Sequence, residues 1–168
     1  MRKYASIAIL ALAAVLALSA CSKKGESQQQ TAQATVQKIT KPTSPTDTAA
    51  WSKYLGQVLS HHLQGMTANR PYPYMVPAGA STTAQGERSR QLTNVTGVVL
   101  RGVTPGNLLA FGGPSSKDTA DLVVSAFKQA APGSLKGVIV LFIGDAADNA
   151  RVEAAVKPSG ATYRFVQM

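Results

Sequence analysis

The sequence predicts an α/β domain: a small three-layer fold whose C-terminal part is a parallel sheet built in the order β-α-β-α-β. Three observations carry this. "GVIVLFI", residues 137 to 143, is a continuous β-branched and aromatic run, the mark of a strand buried on both faces. Before it, Ala120, Val123, Val124, Phe127 and Ala131 recur at helical spacing, and after it "ADNARVEAAVK" forms a second short helix ended by Pro158 and Gly160. Two short runs, "NLLAF" (107 to 111) and the alternating "TYRFVQM" (162 to 168), bracket these helices as strands. Such an alternation assembles as a parallel sheet with right-handed crossovers. The most apolar strand, 137 to 143, belongs in the middle. Both short helices then fall on one face, and the N-terminal helices cover the other.

Arg2 and Lys3 precede an apolar run from Ala5 to Leu18, broken only by Ser6 and followed by the small residues Ser19 and Ala20. This is the three-part pattern of a secretory signal peptide, residues 1–20. The run falls short of the roughly 18 residues that make a bilayer span the default. At its exit, "Leu18-Ser19-Ala20-Cys21" resembles the lipobox of bacterial lipoproteins. The resemblance implies cleavage before Cys21 and acylation of its thiol and amine. Each buried methylene is worth about 0.8 kcal/mol, so two or three acyl chains make a lasting anchor where one is marginal. Ser22, in place of an aspartate, resembles the outer-membrane-sorted majority of that class, which implies an envelope location facing the periplasm. Cys21 is the only cysteine, so the exported chain has no disulfide framework and rests on an ordinary core.

Residues 21–46 read as a lipidated tether. The segment "SKKGESQQQTAQATVQKITKPTSPT" has only Val36 and Ile39 as sizeable apolar groups, too few to offset the entropy of ordering it. As a flexible coil it spans about 27 Å root-mean-square, and about 80 Å fully extended. The chain carries a formal charge of +9, and the basic residues are scattered with no run longer than two. That pattern, without interleaved aromatics, argues against nucleic acid. A positive tail suits anionic head groups or the cell wall better.

Residues 47–168 are sized for one domain with one modest core. In "DTAAWSKYLGQVLSHHLQGM", Trp51, Leu55, Val58, Leu59, His62 and Met66 recur at three- and four-residue steps, an amphipathic helix that Thr46 or Asp47 can cap. "ANRPYPYMVPAG" follows, where three prolines predict an extended arm without regular structure. In residues 82 to 103, Leu92, Val95, Val99 and Val103 fit a helical face, while "GVVLRGV" has strand composition. The expectation is a helix whose last turn converts to strand. Asp118 and Asp121 early and Lys128 late fit the dipole of the next helix.

Several stretches invite a chemical reading. "Gly144-Asp145-x-x-Asp148" follows a buried strand, where open sheets place ligands, and is similar to a metal-binding motif of haloacid-dehalogenase-type phosphatases. That family also needs an Asp-x-Asp pair, which this chain lacks. Helix capping accounts for both acids: Asp145 as the cap, Asp148 near the positive helix end. "FGGPSSKDT" departs from the phosphate loop, with Ser116 for the second glycine and Asp118 after the lysine, and reads as a turn with a helix capped from Ser115. His61 and His62 point about 100° apart on a helix and do not grip one ion. Neither a Gly-x-Ser-x-Gly elbow nor a metal-ligand cluster is readable. "RPYPYMVP" has the aromatic and proline character of a contact surface, and Tyr72, Tyr74 and Met75 are its partner-binding candidates. The sequence thus points to a lipid-anchored, non-enzymatic module without cofactor or metal, bound to an envelope protein or peptidoglycan. The alternative is a small metal-dependent periplasmic hydrolase using Asp145 and Asp148.

Overall fold

Short polar caps at Asp47 and Ser115 start two helices where the sequence places them. The computed structural model describes residues 39–168; the signal segment and Cys21 lie outside the described residues. The Asp47 carboxylate accepts the Ala50 N–H at 2.9 Å and starts α1, Thr48–Ser60. Strand β1, Tyr72–Met75, leads to α2, Thr82–Arg101, capped by Ser81. Strand β2, Leu108–Gly112, leads to α3, Ser116–Phe127, capped by Ser115 through the Asp118 N–H at 3.1 Å. Strand β3, Ile139–Gly144, leads to α4, Ala146–Val156, which tightens into one 3-10 turn at Lys157–Ser159 before β4, Thr162–Gln167.

The four strands form one all-parallel sheet in the order β1-β2-β3-β4. The predicted α/β class and three layers are what the chain adopts, with the strand predicted at 137–143 found inside the sheet as 139–144 and 162–167 at an edge. On one face, Trp51, Tyr54, Leu55, Val58 and Leu59 of α1 pack on Leu108, Ala110, Ile139, Leu141 and Ile143. On the other, Val95 and Val99 of α2, Val123 and Phe127 of α3 and Val152 of α4 pack on Leu109, Phe111, Val140 and Phe142. Because β2 and β3 are covered on both faces, every residue in them is buried. On the three-helix face, Tyr74, Phe111, Phe142 and Phe165 are register partners across all four strands. Tyr74 stacks on Phe111 (centroids 4.9 Å, planes 9° apart) and Phe142 on Phe165 (6.0 Å, 27°).

The structure corrects the sequence reading in five places. The "YPYM" arm is the fourth strand, β1, not irregular chain. Val76 N–H donates to Gly112 O at 2.8 Å, so by period two Tyr72 and Tyr74 also face β2, while Pro73 faces outward where no donor is needed. Residues 82–101 are helical throughout, because Val95 and Val99 fill one core stripe and override strand propensity. Helix α1 ends at Ser60, so His62 and Met66 lie in the following loop. Of the N-terminal helices only α1 covers the second face, since α2, as the β1-to-β2 crossover, joins α3 and α4. Residues 39–46, placed in the tether by composition, lie against α1: Ile39 packs on its core cluster and Trp51 Nε1–H donates to Ser44 O at 2.9 Å.

Candidate functional site

Strand β1 brings the three sequence-predicted contact residues to one sheet edge and sends them different ways. Tyr72 is 44% exposed and, with Leu100, one of the two large apolar side chains left open among the described residues. Tyr74 is half-buried on the three-helix face, stacked on Phe111, and burial pushes its hydroxyl up, helped by neighbouring Tyr72 and opposed by Arg101. Met75 is half-buried on the α1 face, where its sulfur accepts from Ser52 Oγ at 3.5 Å. A strand alternates its faces, so Tyr72 and Tyr74 share the three-helix face while Met75 points to the α1 face. Edge and hollows, not a cluster, make the site.

Two hollows flank the strand. Between α1 and β1 lies an apolar cavity of about 290 Å³, lined by Leu55, Gly56, Leu59, Pro73, Met75 and Ile143 among others. A side chain on Gly56 would meet nothing within 4 Å, so this glycine leaves the mouth open. Under the base of β1 on the other face, Tyr72, Tyr74, Val98, Val103 and Leu109 line a hollow of about 250 Å³. Both are at or below the smallest small-molecule pockets, roughly 300 Å³, and suit one aromatic or branched side chain better than a cofactor. The free edge is partly blunted. Pro73 offers no N–H, and Gln91 Nε2 donates to Met75 O at 3.0 Å. Gln91 Oε1 is buried without a hydrogen-bond partner among the described residues.

The acidic stretch is built for tying helices together. Asp145 occupies the N-cap position of α4 but its side chain makes no capping bond and is exposed, contrary to the capping role expected of it. Its N–H instead donates to Ser116 Oγ at 2.8 Å. Asp148 has both oxygens occupied: Oδ2 accepts from Ser116 Oγ at 2.5 Å, and Oδ1 accepts from Arg151 Nε and Nη2 at 2.9 and 2.7 Å. Arg151 reaches on to Asp121 of α3, which Lys117 also holds at 2.7 Å. Burial works against ionisation of Asp148, but the Ser116 and Arg151 bonds outweigh it and hold the carboxyl below its usual range. The Lys117 bond, then Arg151, depresses Asp121 likewise. With a guanidinium seated on Asp148 and Asp145 pointing to solvent, the two acids do not converge on one ion. Among the described residues no group of three or more His, Cys, Asp or Glu is placed to hold a metal.

The strand order adds a topological point. Open sheets open a ligand crevice where strand order reverses and successive connections diverge. Here the order never reverses, so helices α2, α3 and α4 all return on one side. Of the histidines, His61 is exposed and His62 half-buried, its carbonyl accepting from Arg164 at 3.2 Å. The hollow beneath α1 escapes sequence reading because it depends on β1 being a strand. The one signal in the chain is Gly56, a glycine in mid-helix on the edge of the apolar stripe. No protein-family model matches this chain, and neither a curated protein nor a solved structure does.

Proposed function

We propose that this chain is a bacterial envelope lipoprotein, held through acyl chains on Cys21, whose α/β domain is a non-enzymatic binding module. It faces the periplasm, in keeping with the outer-membrane type of sorting residue at Ser22. Its partner is an envelope protein or a cell-wall component that presents an apolar group to the β1 edge. The observation that carries the binding reading is the open 290 Å³ apolar cavity beside that edge, with exposed Tyr72 on the same strand. The anchoring reading is carried by "Leu18-Ser19-Ala20-Cys21". The occupied oxygens of Asp148 support a binding role over the hydrolase alternative.

Two measurements test it. Wild type should partition into detergent and carry acyl mass on Cys21, while Cys21→Ser should remain aqueous. A photo-crosslinking residue at Tyr72 should capture one discrete envelope component, whereas the same residue at Lys53 on α1 should not. Filling the cavity with Gly56→Leu should abolish the capture without unfolding the domain. Equal capture from both positions, or full capture with the cavity filled, counts against the β1 edge.

A further inference from the structure

The four connections that enter the strands form a single laced floor. In a parallel sheet these loops, 61–71, 102–107, 128–138 and 157–161, all lie at the N-terminal edge of the strands. Thr67 and Ala68 N–H donate to Gly106 O, and Gly106 N–H donates to Gly137 O at 2.7 Å. Gly133 N–H donates to Pro158 O at 3.0 Å and Leu135 N–H to Ser159 O at 2.8 Å. The approach is close: a Cβ on Gly160 would sit 3.0 Å from Gly133 Cα, and Gly160 has φ +78°. Backbone bonds between loops hold this floor as one surface.

Its charge has one sign. The four loops with the last residue of α2 carry Arg70, Arg101, Lys128, Lys136 and Lys157, all exposed, and contain no Asp or Glu. None of the five is in an ion pair among the described residues. The aspartates Asp47, Asp118, Asp121, Asp145 and Asp148 lie at the opposite end, in or just before the early turns of the helices; Glu153, on α4, is the carboxylate nearest the floor in sequence. Helix dipoles account for Arg101, Lys128 and Lys157 at helix C-termini, but not for Arg70 and Lys136 in mid-loop.

We infer that this floor is a docking surface for the anionic phospholipid head groups of a bilayer. Charge complementarity selects the occupant: five unpaired cations on a rigid floor fit a plane of anionic head groups, each basic residue near such a surface multiplying partitioning about fivefold. The inference rests on the anchoring reading for its setting. From Cys21 to Ile39 the chain can extend at most roughly 60 Å, which keeps the bilayer within reach. Docking there presents the acidic end and the α1 N-terminus away from the lipid.

The test uses the chain from Ser22 onward, which lacks any acyl chain and keeps the whole described core. Its binding to vesicles of phosphatidylethanolamine with 30% phosphatidylglycerol is measured by sedimentation, at low salt and at about 0.5 M salt, where screening is strong. Lys128→Gln/Lys136→Gln/Lys157→Gln removes three charges from the floor. Lys41→Gln/Lys53→Gln/Arg90→Gln removes three from elsewhere. We expect salt-sensitive binding that falls about a hundredfold in the floor triple and less than fivefold in the control, with both variants melting like wild type. Equal losses in the two triples would overturn the inference, as would no binding to anionic vesicles. Binding to polyglutamate as tight as to vesicles would overturn the lipid assignment. Absence of acyl mass on native Cys21 would remove the anchor alone, and leaves this vesicle measurement standing.

Discussion

Removing the carboxylate of Asp148 should cost far more stability than removing that of Asp145, although both start the same helix. Asp145 is exposed and bonds nothing through its side chain, so Asp145→Ala should change stability by less than about 0.5 kcal/mol. Asp148→Ala leaves the Ser116 hydroxyl, on a residue only 5% exposed, without its acceptor, at about 1–3 kcal/mol. It also strips a guanidinium that is itself 37% exposed, adding at most about 1 kcal/mol. Loss of an acid in the first turn adds about 0.3–1 kcal/mol. The sum is about 1–5 kcal/mol. Asp148→Asn keeps an acceptor for Ser116 and should fall near the low end. The assay is urea unfolding followed by the fluorescence of Trp51, the single tryptophan, which is 2% exposed and therefore changes environment on unfolding. For a domain this size the Asp148→Ala melting point should drop by roughly 4–18 °C. An equal loss from Asp145→Ala would refute the tie between helices. So would a rise in wild-type melting temperature on adding magnesium, zinc or manganese that disappears in Asp148→Asn.

Other outcomes follow from the same packing. Gly112→Ala puts a Cβ 2.6 Å from Leu55 Cδ2 and should destabilise by about 1–3 kcal/mol, while Gly56→Ala meets nothing and should stabilise by about 0.5–1 kcal/mol; chemical denaturation measures both. Asp121 and Asp148 have folded pKa values below their unfolded ones, so the unfolded chain takes up protons first as pH falls. Stability should be full above about pH 4 and decline below it, with Arg151→Gln flattening that decline in unfolding midpoints measured from pH 2.5 to 6. Mild proteolysis should leave a resistant fragment that begins near Ile39 and not near Thr46, as judged by intact mass. Trp51→Phe, which loses the bond to Ser44 O, should move the cut toward α1.

What the sequence reveals and conceals divides along one physical line. Signals confined to a few neighbouring residues are legible: the apolar run of β3, the Ser115 and Asp47 caps, the valine stripe of α2. Strand β1 is hidden because proline normally argues against a strand, and only a neighbour on one side makes Pro73 harmless. The end of α1 is hidden because the apolar period runs on through His62 and Met66, and Met66 packs on the core from a loop. Asp148 is legible as an acid at a helix start, but its partners Ser116 and Asp121 lie on another helix that the sheet brings alongside. The proposed anchor at Cys21 and the candidate contact residues of β1 differ in the same way. The first is a local pattern, and the second acquires meaning only when a strand has two faces.

The aromatic row across the sheet serves as an alignment code. Strands of four to six residues are short enough for register to be a real choice, and alternation alone decides only half of it. A slip of one residue turns every buried side chain to the wrong layer and is rejected outright. A slip of two keeps each side chain in its layer, so hydrophobic patterning accepts it. The ring positions do not. Moved by two, Phe111 would face Val140 or Gly144 in place of Phe142, and Tyr74 would face Leu109 or Gly113 in place of Phe111. Every such misalignment leaves a ring opposite a smaller residue and opens a void beneath the helices. A ring set at the same height in each strand therefore lets four short segments find a single common register.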